Sequence, residues 1–250
     1  VNMLVGAKVS IVTQKVQTTR IPVRGILIEG PAQIVLIDTP GIFAPKRRLD
    51  RAMVDAAWTG AGTGDRILLL VDAAKGLDEE VEAIIARLKD ASRPVLLVLN
   101  KVDRLRDKEP LLALAADISA RIPVEAVFMI AALSGYGVAD LKRHLASTMP
   151  LGPWHYPEDE LSDLPMRMLA AEVTRERIYH HLHDELPYAI TVETSQWKDL
   201  RDGSARIEQT VFVEREGQRK IVLGKGGDTI KRISTEARAE IAGMIERPVH

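Results

Sequence analysis

The chain contains no cysteine, which excludes disulfides and fits a reducing compartment. Aromatic residues make up only 4% of it, so any core must be filled by Val, Ile, Leu and Ala. No stretch approaches the roughly 20 apolar residues that a membrane-spanning helix needs. No secretory leader is visible, but the chain starts at Val1, so the natural N-terminus is expected upstream. The net charge of −1 provides no general attraction to polyanions, and any nucleic-acid contact must use a local basic face. A Gly-x-x-x-x-Gly-Lys-Ser/Thr phosphate loop is also missing from the residues present. What is there is 250 residues at 46% hydrophobic, enough for a sizeable core in one or two domains.

Two short boxes carry most of the chemistry. Asp38-Thr39-Pro40-Gly41 follows the apolar run Ile34–Ile37, and Asn100-Lys101-Val102-Asp103 follows Val95–Leu99. Both runs read as strands buried on both faces of a parallel sheet. Each box then lies at a strand's carboxyl end, where open α/β sheets bind ligands. In the second box, Asp103 can accept hydrogen bonds from guanine's ring N–H and amine, a donor pair that adenine does not present. Asn100 can bond the base's other edge and tie loops together, with the Lys101 stem over the ring. In the first box, Asp38 can reach a magnesium ion through water. Gly41 lets a backbone N–H approach a terminal phosphate. Either box alone also reads as an ordinary strand-ending turn; their order, each behind a strand, points to a guanine-nucleotide site.

The first half alternates strands and helices. Strands are predicted at 8–13, 23–29, 33–38, 66–72, 95–99 and 124–131, and helices at 47–58, 77–88, 109–120 and 138–147. This is an α/β doubly wound domain over residues 1–149. A Pro/Gly-rich break at 149–153 opens a linker over 150–163, whose acidic run Tyr156–Glu160 reads as a solvated spacer. Residues 164–250 have a different order: a long helix over 166–183, strands at 190–193 and 206–215, then a helix, a glycine turn and a helix from Asp228 to about Met244. That is an α+β unit with its own core.

Gly224-Lys225-Gly226-Gly227 fits the Gly-x-x-Gly turn by which KH domains clamp about four nucleotides of backbone. Lys220, Lys225, Lys231 and Arg232, with Arg215 and Arg219 upstream, supply local positive charge. Ile221, Val222, Leu223, Ile230 and Ile233 are expected to line a groove for unstacked bases, and Phe212 to be buried on its strand, with base stacking as its alternative. His180, His181 and His183 offer two ligands on one helix face, a poor zinc site, and read as a solvated helix end.

Taken together, these motifs resemble the Era family, bacterial GTPases with an N-terminal GTPase domain and a C-terminal KH domain. Gln17-Thr18-Thr19-Arg20 is similar to the family's first switch motif and Asp38–Gly41 to its second. Ile42 stands where many GTPases carry a water-positioning glutamine, and the family likewise has an apolar residue there. Glu185-Leu186-Pro187-Tyr188 and Glu214–Gln218 also resemble the family. The resemblance implies a P-loop-type GTPase domain, here lacking its first strand and phosphate loop, joined to a type II KH domain, with truncation at both ends. It implies GTP or GDP and Mg2+ as ligands. Asp38 and Gly41 would be catalytic, and Thr19, or Thr18 beside it, would bind the metal with Asp38. Nucleotide contacts would come from Asp38, Thr39, Pro40, Gly41, Ile42, Asn100, Lys101, Val102, Asp103, Ala131 and Ala132. Ala131-Ala132-Leu133 occupies the place of the family's Ser-Ala-Glu, which retains a backbone N–H for guanine and loses the serine's bonds. RNA contacts would come from Lys220, Gly224, Lys225, Gly226, Gly227, Lys231 and Arg232. The implied partner is the 3′ end of small-subunit ribosomal RNA, in a cytoplasmic, monomeric protein, partly peripheral to the inner membrane, that assists small-subunit biogenesis. These 250 residues alone would be inactive without the phosphate loop. A competing reading is an RNA-binding scaffold with a degenerate nucleotide domain.

Overall fold

The computed structural model describes residues 1–13, 18–43, 45, 48–182 and 186–250. Gln17, His183 and Glu185, named above, lie outside them. Two units are present, Val1–Ala7 with Thr19–Asp163, and Lys8–Thr18 with Leu164–His250.

In the first unit a short helix α1 (Asn2–Val5) ends at Gly6, and the strands β1 (Val23–Glu29) and β2 (Ala32–Asp38) follow. These pair antiparallel, from Val23 opposite Asp38 to Glu29 opposite Ala32. The parallel arrangement expected for Ile34–Ile37 is therefore incorrect. Only Gly30-Pro31 separates the two strands, and a parallel return needs a crossover of a dozen residues or more. Helix α2 (Arg48–Thr63) leads to β3 (Ile67–Asp72), α3 (Glu79–Leu88), β4 (Val95–Asn100), α4 (Glu109–Arg121), β5 (Val124–Met129) and α5 (Val138–Thr148). Strands β3, β4 and β5 form a parallel sheet in that order.

Central strand β4 explains the two helical layers. Val95, Leu97 and Leu99 point to one side, where Ile85 and Leu88 of α3 and Leu111, Ala115 and Ile118 of α4 meet them. Leu96 and Val98 point to the other, against Val138, Leu141 and Leu145 of α5 and Leu27, Ile34 and Leu36 of the hairpin. All five apolar side chains of β4, Val95–Leu99, are fully buried, as an uninterrupted apolar run requires when both faces are covered. Strand β3 is less enclosed than its sequence suggests, with Leu70 56% exposed. Helix α3 starts where the Asp78 carboxylate accepts the Val81 N–H at 2.9 Å, with Glu79, Glu80 and Glu82 in its first turn, where the helix dipole favours them.

Residues 154–163 are fastened along the hairpin. Gln33 Oε1 accepts the N–H groups of His155 and Tyr156, the Ile26 N–H donates to the Leu161 carbonyl, and Arg24 pairs with Asp163. Within the acidic run Tyr156–Glu160, Glu158 and Asp159 are exposed and Tyr156 and Glu160 are half-buried.

The second unit contains α6 (Met166–His181), the antiparallel strands β6 (Ile190–Asp199) and β7 (Ala205–Val213), α7 (Glu216–Leu223) and α8 (Asp228–Ile245). Ala171, Ile178 and Leu182 of α6 and its C-terminal cap pack on Ile190, Val192, Val222 and Ile233. Val249 runs parallel to β7, with the His250 N–H bonded to the Ala205 carbonyl at 2.8 Å. Strand β6 extends six residues beyond the expected 190–193. Its outer half, Thr194–Asp199, is mostly polar, so no apolar alternation announced it; the ladder to β7 holds it. Residues 8–13 are irregular, against the predicted strand. Buried Val9 and Ile11 mimic a strand pattern, but the Val12 N–H donates to the Glu176 carboxylate at 2.7 Å instead of to a neighbouring strand. Among the described residues, no helix is long and apolar enough to cross a membrane.

Candidate functional site

The Asn100 box begins on the last residue of β4, beside Asp72 on the last residue of β3 in parallel register. The Asn100 side-chain oxygen accepts two N–H groups, Lys101 at 2.8 Å and Ala132 at 3.0 Å. One amide thus ties the loop after β4 to the loop after β5. The Ala131 N–H bonds the Tyr136 carbonyl at 3.0 Å, which closes that second loop. Lys101 takes a left-handed backbone (φ 63°), which turns the chain sharply away from the strand. Its ammonium donates to Asp72 Oδ2 at 2.7 Å. Val102 is buried and its N–H reaches the Ile130 carbonyl at 3.2 Å, leaving Asp103 exposed on a one-turn 3₁₀ helix.

Asp72 is a residue to which the sequence alone assigns no role. A carboxylate ending an apolar strand next to the Asn100 strand was the signal that could have found it. Burial disfavours its charged form. The Lys101 hydrogen bond, the Ala74 N–H and the Lys101 charge outweigh that, and hold the carboxyl below its ordinary value. A lowered carboxyl pKa stabilises the fold at neutral pH and loses that contribution as pH falls through the lowered value. Asp72→Asn should therefore flatten the acid limb of stability, measured by denaturant unfolding at stepped pH. With Lys101 released, it should also weaken guanine-nucleotide binding about fivefold in the full-length protein, near the upper end for a part-exposed ion pair. Unchanged affinity would remove Asp72 from the site.

The Asp38 box ends β2. Pro40 is buried, Thr39 and Ile42 are half-buried, and Gly41 is exposed, so its backbone is open to a ligand. The Thr19 hydroxyl lies 3.5 Å from Asp38 Oδ2, whereas the Thr18 hydroxyl faces that of Thr13 at 2.7 Å. Hydroxyl and carboxylate oxygens are the hard donors that Mg2+ takes, usually alongside water and substrate phosphates. Gly60 of α2 is a second residue missed in the sequence: a Cβ there would come within 2.9 Å of the Thr39 methyl, so only glycine lets α2 pack this closely on the box. The two boxes sit on different sheets, Asp38 in the hairpin and Asn100 in the parallel sheet.

In the second unit, Gly224–Gly227 links α7 to α8 through a short 3₁₀ turn. Gly224 adopts φ 73° and ψ 179°, and Gly226 φ 62° and ψ 15°. The Gln218 side chain accepts the N–H groups of Glu214 and Arg215, which sets the entry to α7. Lys220, Lys225, Lys231 and Arg232 are all exposed. The apolar neighbours divide in a way that corrects the expected groove floor. Val222, Ile230 and Ile233 turn into the core, because α7 and α8 need them to cover the sheet, while Ile221 and Leu223 stay exposed. Phe212, expected to be buried, is 47% exposed; on a two-faced strand the covered neighbours are Val211 and Val213. His181 is not a solvated helix end either, since its Nε2 lies 2.8 Å from the Glu236 carboxylate. Among the described residues, no cluster of three or more metal-binding side chains occurs.

Comparison with known proteins agrees with both halves. The family described as 50S ribosome-binding GTPase matches residues 1–101, and the KH domain family matches residues 185–250. GTPase Era of Afipia carboxidovorans is 62% identical over the whole chain, which spans 81% of that protein; GTPase Era of Brucella suis biovar 1 is 59% identical over the whole chain and 80% of its length. A crystal structure of Era in complex with MgGDPNP and nucleotides 1506–1542 of 16S ribosomal RNA is 34% identical and covers the whole chain and 85% of its own, with a TM-score of 0.94. A structure of a single-residue variant of Aquifex aeolicus Era bound to GDP.AlF4- has the same identity, coverage and TM-score. With a guanine-type box on β4, an Asp-Thr-Pro-Gly box on β2 and a KH glycine turn on one chain, this protein belongs to the GTPase Era family.

Proposed function

We propose that this chain is the greater part of a GTP-hydrolysing, ribosomal-RNA-binding protein that assists biogenesis of the small ribosomal subunit. The full-length proteins of the family are GTPases, with GTP or GDP and Mg2+ as their ligands. The observation that carries the RNA half is the glycine turn, whose exposed lysines and open Gly226 backbone suit a phosphate chain. An Era of known structure holds nucleotides 1506–1542 of 16S ribosomal RNA, and we take the same region as this protein's target. The cytoplasm is the proposed location.

The nucleotide chemistry is positioning. Asp103 would select guanine, Asn100 would brace the base loop against Ala132, and Lys101 would lie along the ring while paired to Asp72. Thr19, rather than Thr18, is our metal threonine, supported by its place beside Asp38. Thr19 and Asp38 would hold Mg2+, which when bound would neutralise phosphate charge. Gly41 would offer its N–H to that phosphate. With Ile42 next to it, the attacking water must be held by groups other than a glutamine side chain at that position.

Titration calorimetry with GTP and Mg2+ tests the nucleotide half, on residues 1–250 and on the protein extended upstream to the length of its relatives. Five charge-assisted bonds to a phosphate loop, at roughly 1.5 kcal/mol each, are worth about 7 kcal/mol, or on the order of 10⁵-fold in affinity. Micromolar or tighter binding is therefore expected only in the extended protein. Binding in neither would overturn the GTPase reading of this chain and favour the RNA scaffold.

A further inference from the structure

Strand β6 of the second unit changes its alternation halfway along. Ile190 and Val192 are buried in the core beneath α6. Strict alternation would put Gln196 and Lys198 on that same side further along. Between Thr194, opposite Gln209, and Gln196, opposite Glu208, the strand inserts Ser195 as a bulge. The extra residue gives that side to Trp197, whose half-buried ring packs on Ala170, Val173, Ala237 and Ile241. The first turn of α6 holds the bulge. Arg167 Nη2 donates to the Thr194 and Ser195 carbonyls at 3.1 and 3.0 Å, and the Thr194 hydroxyl donates back to the Arg167 carbonyl at 2.8 Å. Among the described residues this exposed guanidinium meets no carboxylate, so it is a fixed cation whose charge is left uncompensated. Arg247 differs, donating to Asp199 at 2.6 Å. Met166, Arg167, Trp197, Ile245 and Arg247 line an open cavity of about 550 Å³.

We propose that this cavity is a second RNA-binding site, which takes one unpaired nucleotide with its base on the Trp197 ring and its phosphate on Arg167. An aromatic wall beside a cation is the combination that holds single-stranded nucleic acid, because every base has a face to stack and every nucleotide a phosphate. Met166 and Ile245 add apolar surface for the base, and the bulge fixes indole and guanidinium side by side. The 18 residues of α8 run from the glycine turn to Ile245, which puts the cavity about 27 Å along the helix from that turn. The nucleotide held here would therefore lie outside the group of about four that the turn clamps. This inference rests on the reading of the second unit as RNA-binding.

The test titrates the full-length protein with RNA of nucleotides 1506–1542 of 16S ribosomal RNA, for the parent, Trp197→Leu, Arg167→Gln and Gly226→Asp. Trp197→Leu keeps apolar packing without a stacking face and should weaken RNA binding about 10-fold, in the lower part of the range for losing one base–aromatic stack. Arg167→Gln keeps a donor for the bulge carbonyls and removes the charge. It should lower the slope of log affinity against log salt by about one, as the loss of a single phosphate contact requires. With every other tryptophan replaced by Phe, Trp58 and Trp154 included, RNA should quench the fluorescence of Trp197. That readout leaves the cavity intact and serves if Trp197→Leu fails to fold. Unquenched Trp197, with parental affinity and salt slope in both cavity variants beside a Gly226→Asp protein that has lost RNA, would overturn the proposal and leave the glycine turn standing. A parent that binds no RNA would overturn the RNA reading, and the proposal with it.

Discussion

Replacing Asp103 by Asn is expected to reverse nucleotide preference from GTP to xanthosine triphosphate. Asp103 is exposed on a one-turn helix whose base is anchored by buried Val102, so the side chain can change without disturbing the turn. Its carboxylate would accept guanine's ring N–H and amine, two charge-assisted bonds worth about 1.5–3 kcal/mol each. Asparagine presents one acceptor and one donor, so its amide meets guanine's amine donor to donor. Xanthine carries a carbonyl in that place, which the Asn amide can satisfy. Losing about 3–6 kcal/mol corresponds to roughly 10²- to 10⁴-fold weaker GTP binding. Xanthosine triphosphate should then bind more tightly than GTP. Calorimetry with both nucleotides on full-length parent and variant checks this, and a retained GTP preference would take Asp103 out of the base site.

The second large effect concerns the glycine turn, where two neighbouring glycines should respond in opposite ways. At Gly226 nothing lies within 4 Å of a would-be Cβ, and the φ of 62° is a left-handed conformation that Asp tolerates at a cost of about 1 kcal/mol. Gly226→Asp should therefore fold, with Tm lowered by only a few degrees. Its carboxylate would stand where a phosphate has to approach, and RNA affinity should fall at least about 100-fold. Gly224 is different. A Cβ there would sit 2.2 Å from the Thr229 hydroxyl and 2.9 Å from its backbone nitrogen. The φ and ψ of 73° and 179° also belong to a region that essentially only glycine occupies. Gly224→Ala should destabilise the second unit by about 2–4 kcal/mol and lose RNA binding through unfolding. Thermal melting and RNA titration on both variants separate loss of contact from loss of fold. Parental RNA affinity in a folded Gly226→Asp protein would mean that the turn is not the RNA clamp.

Much of the molecule was legible because its signals are short-range. The apolar, β-branched run Val95–Leu99 reads as a strand covered on both faces, and β4 is one. The boxes that follow β2 and β4 announce themselves by residue type, and the glycine turn by spacing and basic flanks. Misreadings arose where a local pattern had two long-range solutions. Ile34–Ile37 carries the composition of a parallel strand, yet the two-residue turn before it forces an antiparallel hairpin. Val9 and Ile11 are buried as a strand's would be, but their stretch bonds to side chains of α6. Phe212 is an aromatic on a strand and was expected in the core, but which face of β7 is covered depends on where α6 and α8 lie.

The sequence by itself offered the proposed chemistry: a carboxylate at Asp103 suited to guanine, an oxygen donor at Asp38, a glycine turn suited to a phosphate chain, and two stretches of different class. These follow from residue identity and spacing within a few positions. Only the tertiary structure decided which groups stand together across the chain. Asp72 meets Lys101, Asn100 meets Ala132 and Arg167 meets the Thr194 carbonyl across separations of 29, 32 and 27 residues. Such pairs leave no periodic trace in a sequence, because hydrogen bonds and ion pairs act at about 3 Å in space and carry no information about distance along the chain.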